Sequence, residues 1–147
     1  MPETFGELLE NINQMDLEEI SRRSLDQTID RIADLNREQL KQGITSTGGR
    51  LRPYRSRNYA IVKNQMNPLP GLGNPDFLVT GAFHAKIQAE RFGDTIGVHS
   101  YDQKAESLEA RDGADKIYGL IPENHNLYVE EDLTPVYLKE VRQSLKL

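Results

Sequence analysis

Residues 16–44, DLEEISRRSLDQTIDRIADLNREQLKQGI, decide the fold. Leu17, Ile20, Leu25, Ile29, Ile32, Leu35, Leu40 and Ile44 fall on one broad side of a 3.6-residue helix, with Glu19, Arg23, Asp30, Asp34, Arg37 and Lys41 opposite. Asp16 supplies an N-cap, Glu19 follows three residues later, and the pairs Glu18–Arg22 and Glu19–Arg23 have ion-pair spacing. With Gly43 as the stop, the helix runs to Gln42 and is roughly 40 Å long at about 1.5 Å per residue. So long a helix, with so wide a stripe, has surface for its own core and for a neighbouring subunit.

Upstream, Thr4 and Glu7 form a capping box before Leu8, Leu9 and Ile12, which predicts a short amphipathic helix weakened by Gly6. Downstream, residues 45–58 hold two adjacent glycines, Pro53 and four arginines without periodicity, which predicts an extended loop or assembly arm. Tyr59 to Met66 predicts a short helix, and the proline- and glycine-rich residues 67–76 an irregular connection. Phe83, Ala85, Ile87 and Ala89 then alternate with His84, Lys86, Gln88 and Glu90, Gly93-Asp94 offers a turn, and Ile96 and Val98 resume the alternation. An antiparallel hairpin is therefore expected over residues 82–100. Lys104 to Arg111 predicts a helix closed by Gly113, Ile117 to Ile121 a third strand, and Thr134-Pro135 the cap and first turn of a C-terminal helix. The expected fold is α+β: a long N-terminal helix and a C-terminal helix packed on a small antiparallel sheet built around the hairpin, all within a single domain spanning residues 1–147.

With 28% charged and 37% hydrophobic residues the chain is polar yet able to bury one core. It has no cysteine, which removes disulfides, thiolate catalysis and cysteine-ligated zinc. No apolar run of membrane-spanning length appears, so a soluble protein with no membrane partner is expected. The net charge of −5 argues against a surface built to grip many phosphates, although a mildly acidic wall lets a duplex slide past it.

The three histidines, His84, His99 and His125, show no metal-ligand spacing, and His84 and His99 are expected to be solvated strand residues. Gly71-x-Gly73 lacks the third glycine and flanking elements of a dinucleotide loop, and the serines lack a nucleophile elbow. No catalytic residue, cofactor or metal is therefore assigned. The constellation that stands out is Arg50, Arg52, Arg55 and Arg57 interleaved with Tyr54 and Tyr59. Three readings are open for it: a solvated loop, a contact with the acidic surface of a neighbouring protein, or phosphate binding with bases stacked on the tyrosines.

Asn58-Tyr59-Ala60 through Lys63, Asn67-Pro68-x-Pro70-Gly71, and Pro75-Asp76 leading to Thr80-Gly81-Ala82-Phe83 carry a resemblance. The last step resembles the Thr-Gly-x-Leu/Phe passage into a strand of small neck and tail-completion proteins, the virion-morphogenesis proteins of tailed bacteriophages. The order of elements over residues 16–147 is similar to theirs, as are Lys104-x-x-x-Leu108, Ile117-Tyr118-Gly119-Leu120 and Pro122-Glu123-Asn124. One stretch departs: the family's Phe-Gly segment and Ile-Pro-x-Arg-Pro-Phe after the hairpin are replaced by Ile117 to Asn124, which leaves neck ring, tail terminator and connector open. The resemblance implies a non-enzymatic virion protein, assembled in the bacterial cytoplasm. It would form a homo-oligomeric ring between portal and tail, contact neighbouring portal, neck or tail proteins, and lie close to DNA in a channel. Arg50, Arg52, Tyr54, Arg55 and Arg57 are the candidate partner-binding residues; the alternative is a nucleic-acid-binding accessory protein using the same loop.

The strand phase can be tested directly. Ile87→Asp is expected to unfold the protein or abolish its expression, because it buries an unpaired carboxylate, whereas Lys86→Asp leaves the fold intact. Equal tolerance of both changes in thermal melting would show the phase to be wrong.

Overall fold

The computed structural model of the chain describes residues 1–2 and 4–147. Thr4 Oγ1 accepts from the Glu7 amide at 3.2 Å while the Glu7 carboxylate accepts from the Thr4 amide at 3.0 Å, and this capping box starts α1, Phe5–Gln14. Met15 is extended, and Asp16 Oδ1 then accepts from the Glu19 amide at 3.0 Å to start α2, Leu17–Lys41. Gly43 ends α2 at φ 70°, where a Cβ would stand 2.8 Å from the Pro70 side chain; both the backbone and the space require glycine.

The inner face of α2 is less apolar than its leucines and isoleucines suggest. Ile20, Ile32, Leu35 and Leu40 are buried, but so are Ser24, Thr28, Asn36 and Gln39, while Leu17 is half exposed. Ser24 and Thr28 return their hydroxyls to the carbonyls four residues back at 2.8 and 2.9 Å, so neither is left unpaired. Thr28 also meets the Tyr128 hydroxyl at 2.8 Å.

After the loop at residues 45–56 comes α3, Arg57–Met66, capped by Ser56. The hairpin is present, with β1, Ile87–Phe92, antiparallel to β2, Thr95–Ser100, in the register Ile87↔Ser100 to Phe92↔Thr95. Gly93 takes φ 62° at the first central position of its two-residue turn, where a hairpin of right-handed twist demands a positive φ. Ile87 and Ala89 are buried while Lys86 and Gln88 are exposed, the phase the alternation predicts.

The hairpin begins later than expected. Residues Ala82–Ala85 form a helical turn, α4, with Ala85 exposed and His84 buried. Phe83 and Ile87 are two strand repeats apart and also one helical i, i+4 step apart, so the apolar pattern satisfies both periods. Tertiary bonds decide between them: Ser100 Oγ donates to Phe83 O at 2.9 Å and Arg37 Nε to His84 O at 2.8 Å, so these carbonyls are held without a ladder.

The expected third strand is absent among the described residues, and the sheet has two strands. After α5, Ala105–Asp112, residues Ala114–Ile117 form a helical turn, α6. The following segment is bound by side chains of α2. Asn36 Nδ2 donates to Ile117 O at 3.1 Å and Gly119 O at 3.0 Å. Gln39 Nε2 donates to Gly119 O at 3.1 Å while its Oε1 accepts from the Ile121 amide at 3.0 Å.

The C-terminal helix also starts earlier than Thr134 suggests. It opens with Pro122 at its first turn as α7, Pro122–Leu127, widens into a π-helical stretch, Tyr128–Leu133, and continues as α8, Thr134–Ser144. Thr134 has helical dihedrals and caps nothing. The wide turn lies directly before Pro135, whose missing N–H and bulky ring disrupt an ordinary i→i−4 helix. α8 runs antiparallel to α2, joined by Gln27–Glu140 at 3.0 Å and, through the π-helical stretch, by Arg31–Asp132 at 3.5 Å. On another side of α2, Arg91 of β1 grips Asp26 with two bonds of 2.9 and 3.2 Å. Ile32, Leu35, Leu40, Phe83, Ile87, Ile117 and Tyr128 meet in the core between these layers.

Gln39→Leu keeps the volume but leaves the part-buried Ile121 amide without its acceptor and Gly119 O with Asn36 as its remaining donor. It is expected to cost about 2–4 kcal/mol in chemical denaturation, against less than about 0.5 kcal/mol for the exposed neighbour Glu38→Gln. Equal losses would mean that the 117–121 segment does not depend on this side chain.

Candidate assembly surface

Residues 45–58 fold back on the body of the protein before they reach its surface. Ile44 and Arg50 form an isolated antiparallel bridge, Thr45 N donates to Gly49 O at 2.9 Å, and Leu51 is buried in the core. Arg50 is spent within the fold: its Nη1 donates to Gln42 O at 2.5 Å and Pro70 O at 3.2 Å, which caps the carbonyl end of α2. Arg52, Arg55 and Arg57 are exposed and make no ion pair or side-chain hydrogen bond among the described residues. The structure therefore separates Arg50 from the other three.

Tyr54 lies between them, its amide donating to Gly73 O at 3.0 Å and its ring edge-on to Tyr59 at 4.9 Å. Burial, with the nearby Asp76 and Tyr59 adding to it, pushes the Tyr54 hydroxyl up to about 12, so it stays a neutral phenol. It also forms a wall shared by two hollows. One, about 320 Å³, is lined by Arg52, Pro53, Tyr54, Arg55 and Arg111. The other, about 410 Å³, adds Tyr59, Phe77, Lys86 and Lys104, with Asp102 its carboxylate. Asp102 is held below the usual carboxylate range first by the Lys104 amide at 3.0 Å, with Lys86 also in reach at 3.4 Å. Arg111 sits 5.7 Å over the Phe77 ring and bonds Asp112 at 2.7 Å.

The surface thus combines aromatic faces with guanidinium and ammonium groups, suited to acidic and apolar side chains or to phosphates. Arg111, Lys104 and Lys86 come from elements distant in sequence, and no spacing in the chain announces that they meet Tyr54.

Among the described residues no group of three or more metal-ligating side chains occurs. His99 packs edge-on to Tyr101 at 4.4 Å, and His125 is exposed on α7. His84, expected to be solvated, is buried, because α4 turns it inward to lie 2.6 Å from Asp76 O. Asp76 itself is buried and accepts from Asn67 Nδ2 at 2.8 Å and the Leu78 amide at 2.9 Å, and it pairs with Lys63 Nζ at 2.9 Å. Lys63 donates further to Leu78 O, so the cluster ties α3 and the proline-rich connection to the body. No helix among the described residues is long and apolar enough to cross a membrane. No protein-family model, curated protein or solved structure gives a significant match to the chain.

Burial lowers the His84 pKa from 6.5, the bond to Asp76 O opposing it only in part. A neutral histidine in the folded state binds fewer protons than in the unfolded chain, so stability is present above pH 6.5 and falls as pH drops below it. His84→Gln is expected to flatten the melting temperature between pH 6.5 and about 5, where carboxylates begin to titrate. An unchanged slope in the variant would assign the pH dependence to other groups.

Proposed function

We propose that this chain is a non-enzymatic assembly protein, which acts by holding other subunits. The observation that carries the reading is an exposed strip, Arg52, Arg55 and Arg57 beside Tyr54 and Tyr59, whose guanidinium groups have no acidic partner among the described residues. Cations spaced along a surface and interleaved with aromatic rings gain most when a partner covers them, since an exposed charge contributes little to its own fold.

Within that class, the setting that fits is the virion of a tailed bacteriophage, with the protein as a subunit of a neck, connector or tail-completion ring between portal and tail. Support comes from the order of elements, a long helix followed by a hairpin and a C-terminal helix, which is that of the neck and tail-completion proteins the sequence resembles. The Thr80–Phe83 step leads into a helical turn here, so it lends less support than the order of elements does. On this reading the partners are further copies of the chain and adjacent portal, neck or tail proteins, and assembly takes place in the bacterial cytoplasm. DNA passes near a wall of net charge −5 without being gripped.

Changing Arg52, Arg55 and Arg57 together to Ser should leave the melting temperature nearly unchanged, while a particle lacking the protein should fail to be completed by the variant. Particle completion is scored by electron microscopy and infectivity. Normal particles would overturn the reading, and binding of DNA that weakens steeply with salt and is lost in the triple variant would favour the nucleic-acid-binding alternative.

A further inference from the structure

Charge is unevenly distributed along the sequence, with an acidic segment before α2 and in its first turn and a basic one after it, although Arg22, Arg23 and Lys146 stand beside the acidic residues in the fold. Residues 1–21 contain Glu3, Glu7, Glu10, Asp16, Glu18 and Glu19 and no lysine or arginine. Residues 39–75 contain Lys41, Arg50, Arg52, Arg55, Arg57 and Lys63 and no aspartate or glutamate. Lys63 is consumed by Asp76 and Arg50 by carbonyls, which leaves Lys41 and the arginine strip at the surface.

Each of these oppositely charged regions carries an uncovered apolar helix face. α1 buries none of its residues: Phe5 is 75% exposed, Leu9 45% and Ile12 44%, and the three lie on one side of the helix. α3 directs Tyr59, Val62 and Met66 outward at i, i+3, i+7, also one side of a helix, with Val62 52% and Met66 53% exposed. Single exposed apolar residues need no explanation, but two periodic faces of this kind do.

The two faces cannot meet within one chain. α1 adjoins the start of α2 and bonds the carbonyl of Leu145 through Asn11 at 3.4 Å, whereas α3 is tied to the other end of α2 by Asn67 Nδ2 donating to Lys41 O at 2.9 Å. Between those ends lie the 25 residues of α2, about 37 Å of helix.

We infer that α1 of one copy docks on the α3 face of the next, with the acidic N-terminal region set against Arg52, Arg55 and Arg57. Because the contact joins two different patches at opposite ends of the molecule, it is heterologous and repeats head to tail, giving a ring where the rotation closes. The inference rests on the ring reading above and deepens it by naming the two surfaces in contact.

The chain has no cysteine, so introduced thiols are unique. Full-length Leu9→Cys and Val62→Cys proteins, each mixed with the other and treated with a short bismaleimide, should give a covalent dimer at about tenfold or more the yield of either protein alone, as expected when contact raises the effective concentration. Arg55→Glu with Arg57→Glu in the Val62→Cys chain, or added salt, should cut that yield. Dominant Leu9–Leu9 or Val62–Val62 products would overturn the proposal in favour of a two-fold contact, and absence of covalent product would overturn it outright. Rings seen by electron microscopy without the mixed cross-link would remove this interface and keep the ring. Mixed cross-links in open filaments would keep the interface and remove the ring.

Discussion

Burying Asn36 and Gln39 on the inner face of α2 obliges their amides to find partners where no water competes, and much of the remaining fold follows from how they do so. An unpaired amide in the interior costs about 1–3 kcal/mol, so the chain that covers α2 must present backbone groups there. The segment 117–121 does, offering Ile117 O, Gly119 O and the Ile121 amide in an irregular path that no strand partner completes. Asn124 Nδ2 adds a further bond to Gln39 at 3.2 Å, which fixes where α7 begins and hence how the C-terminal helix lies along α2. Asn36 Oδ1 is left without a partner, a cost that falls on the same structural joint.

A second polar joint secures the far end of α2. Asp76 gathers Lys63, Asn67 and the Leu78 amide, and its own carbonyl takes the His84 ring. A buried ion pair of this kind is poor evidence of net stabilisation, because desolvation offsets most of the Coulomb attraction. Its value here is geometric: it fixes α3 against the body while the outer face of that helix, with Tyr59, Val62 and Met66, remains uncovered. The basic end is thus presented by a rigid mount, which lowers the ordering entropy of any contact made there.

Those joints also explain what could be read from the residues and what could not. Helix starts were legible at Thr4 and Asp16, because a cap is a local hydrogen bond between residues three apart. The hairpin and its phase were legible from Ile87 onward for the same reason of short range. The Ala82–Ala85 turn was not, since Phe83 and Ile87 fit either period and bonds from Arg37 and Ser100 choose between them. The stretch 117–121 looks like a strand because it is apolar, and its true partners are amides eighty residues away. Pro135 marks a helix start in most sequences, but the π-helical turn before it lets the helix run through. At the candidate surface the arginines and tyrosines were visible as a cluster. The diversion of Arg50 to the carbonyls of Gln42 and Pro70 and the arrival of Arg111 and Lys104 both depend on tertiary packing that composition cannot encode.

The unpaired arginines Arg52, Arg55 and Arg57 are gathered in one strip of a chain of net charge −5, and this bears on how copies would find each other. Like-charged molecules repel on average, but a basic strip facing an acidic helix attracts within about 8–10 Å at ordinary salt, so the proposed head-to-tail approach would be the one favoured. Guanidinium groups suit that contact better than ammonium groups would. They are weakly hydrated, stack on aromatic rings such as Tyr54 and Tyr59, and grip a carboxylate with two parallel bonds. The same arrangement disfavours a symmetric pairing of two basic or two acidic ends. On the proposed contact, charge would set the polarity of assembly, while the apolar faces of α1 and α3 would supply the area that holds it.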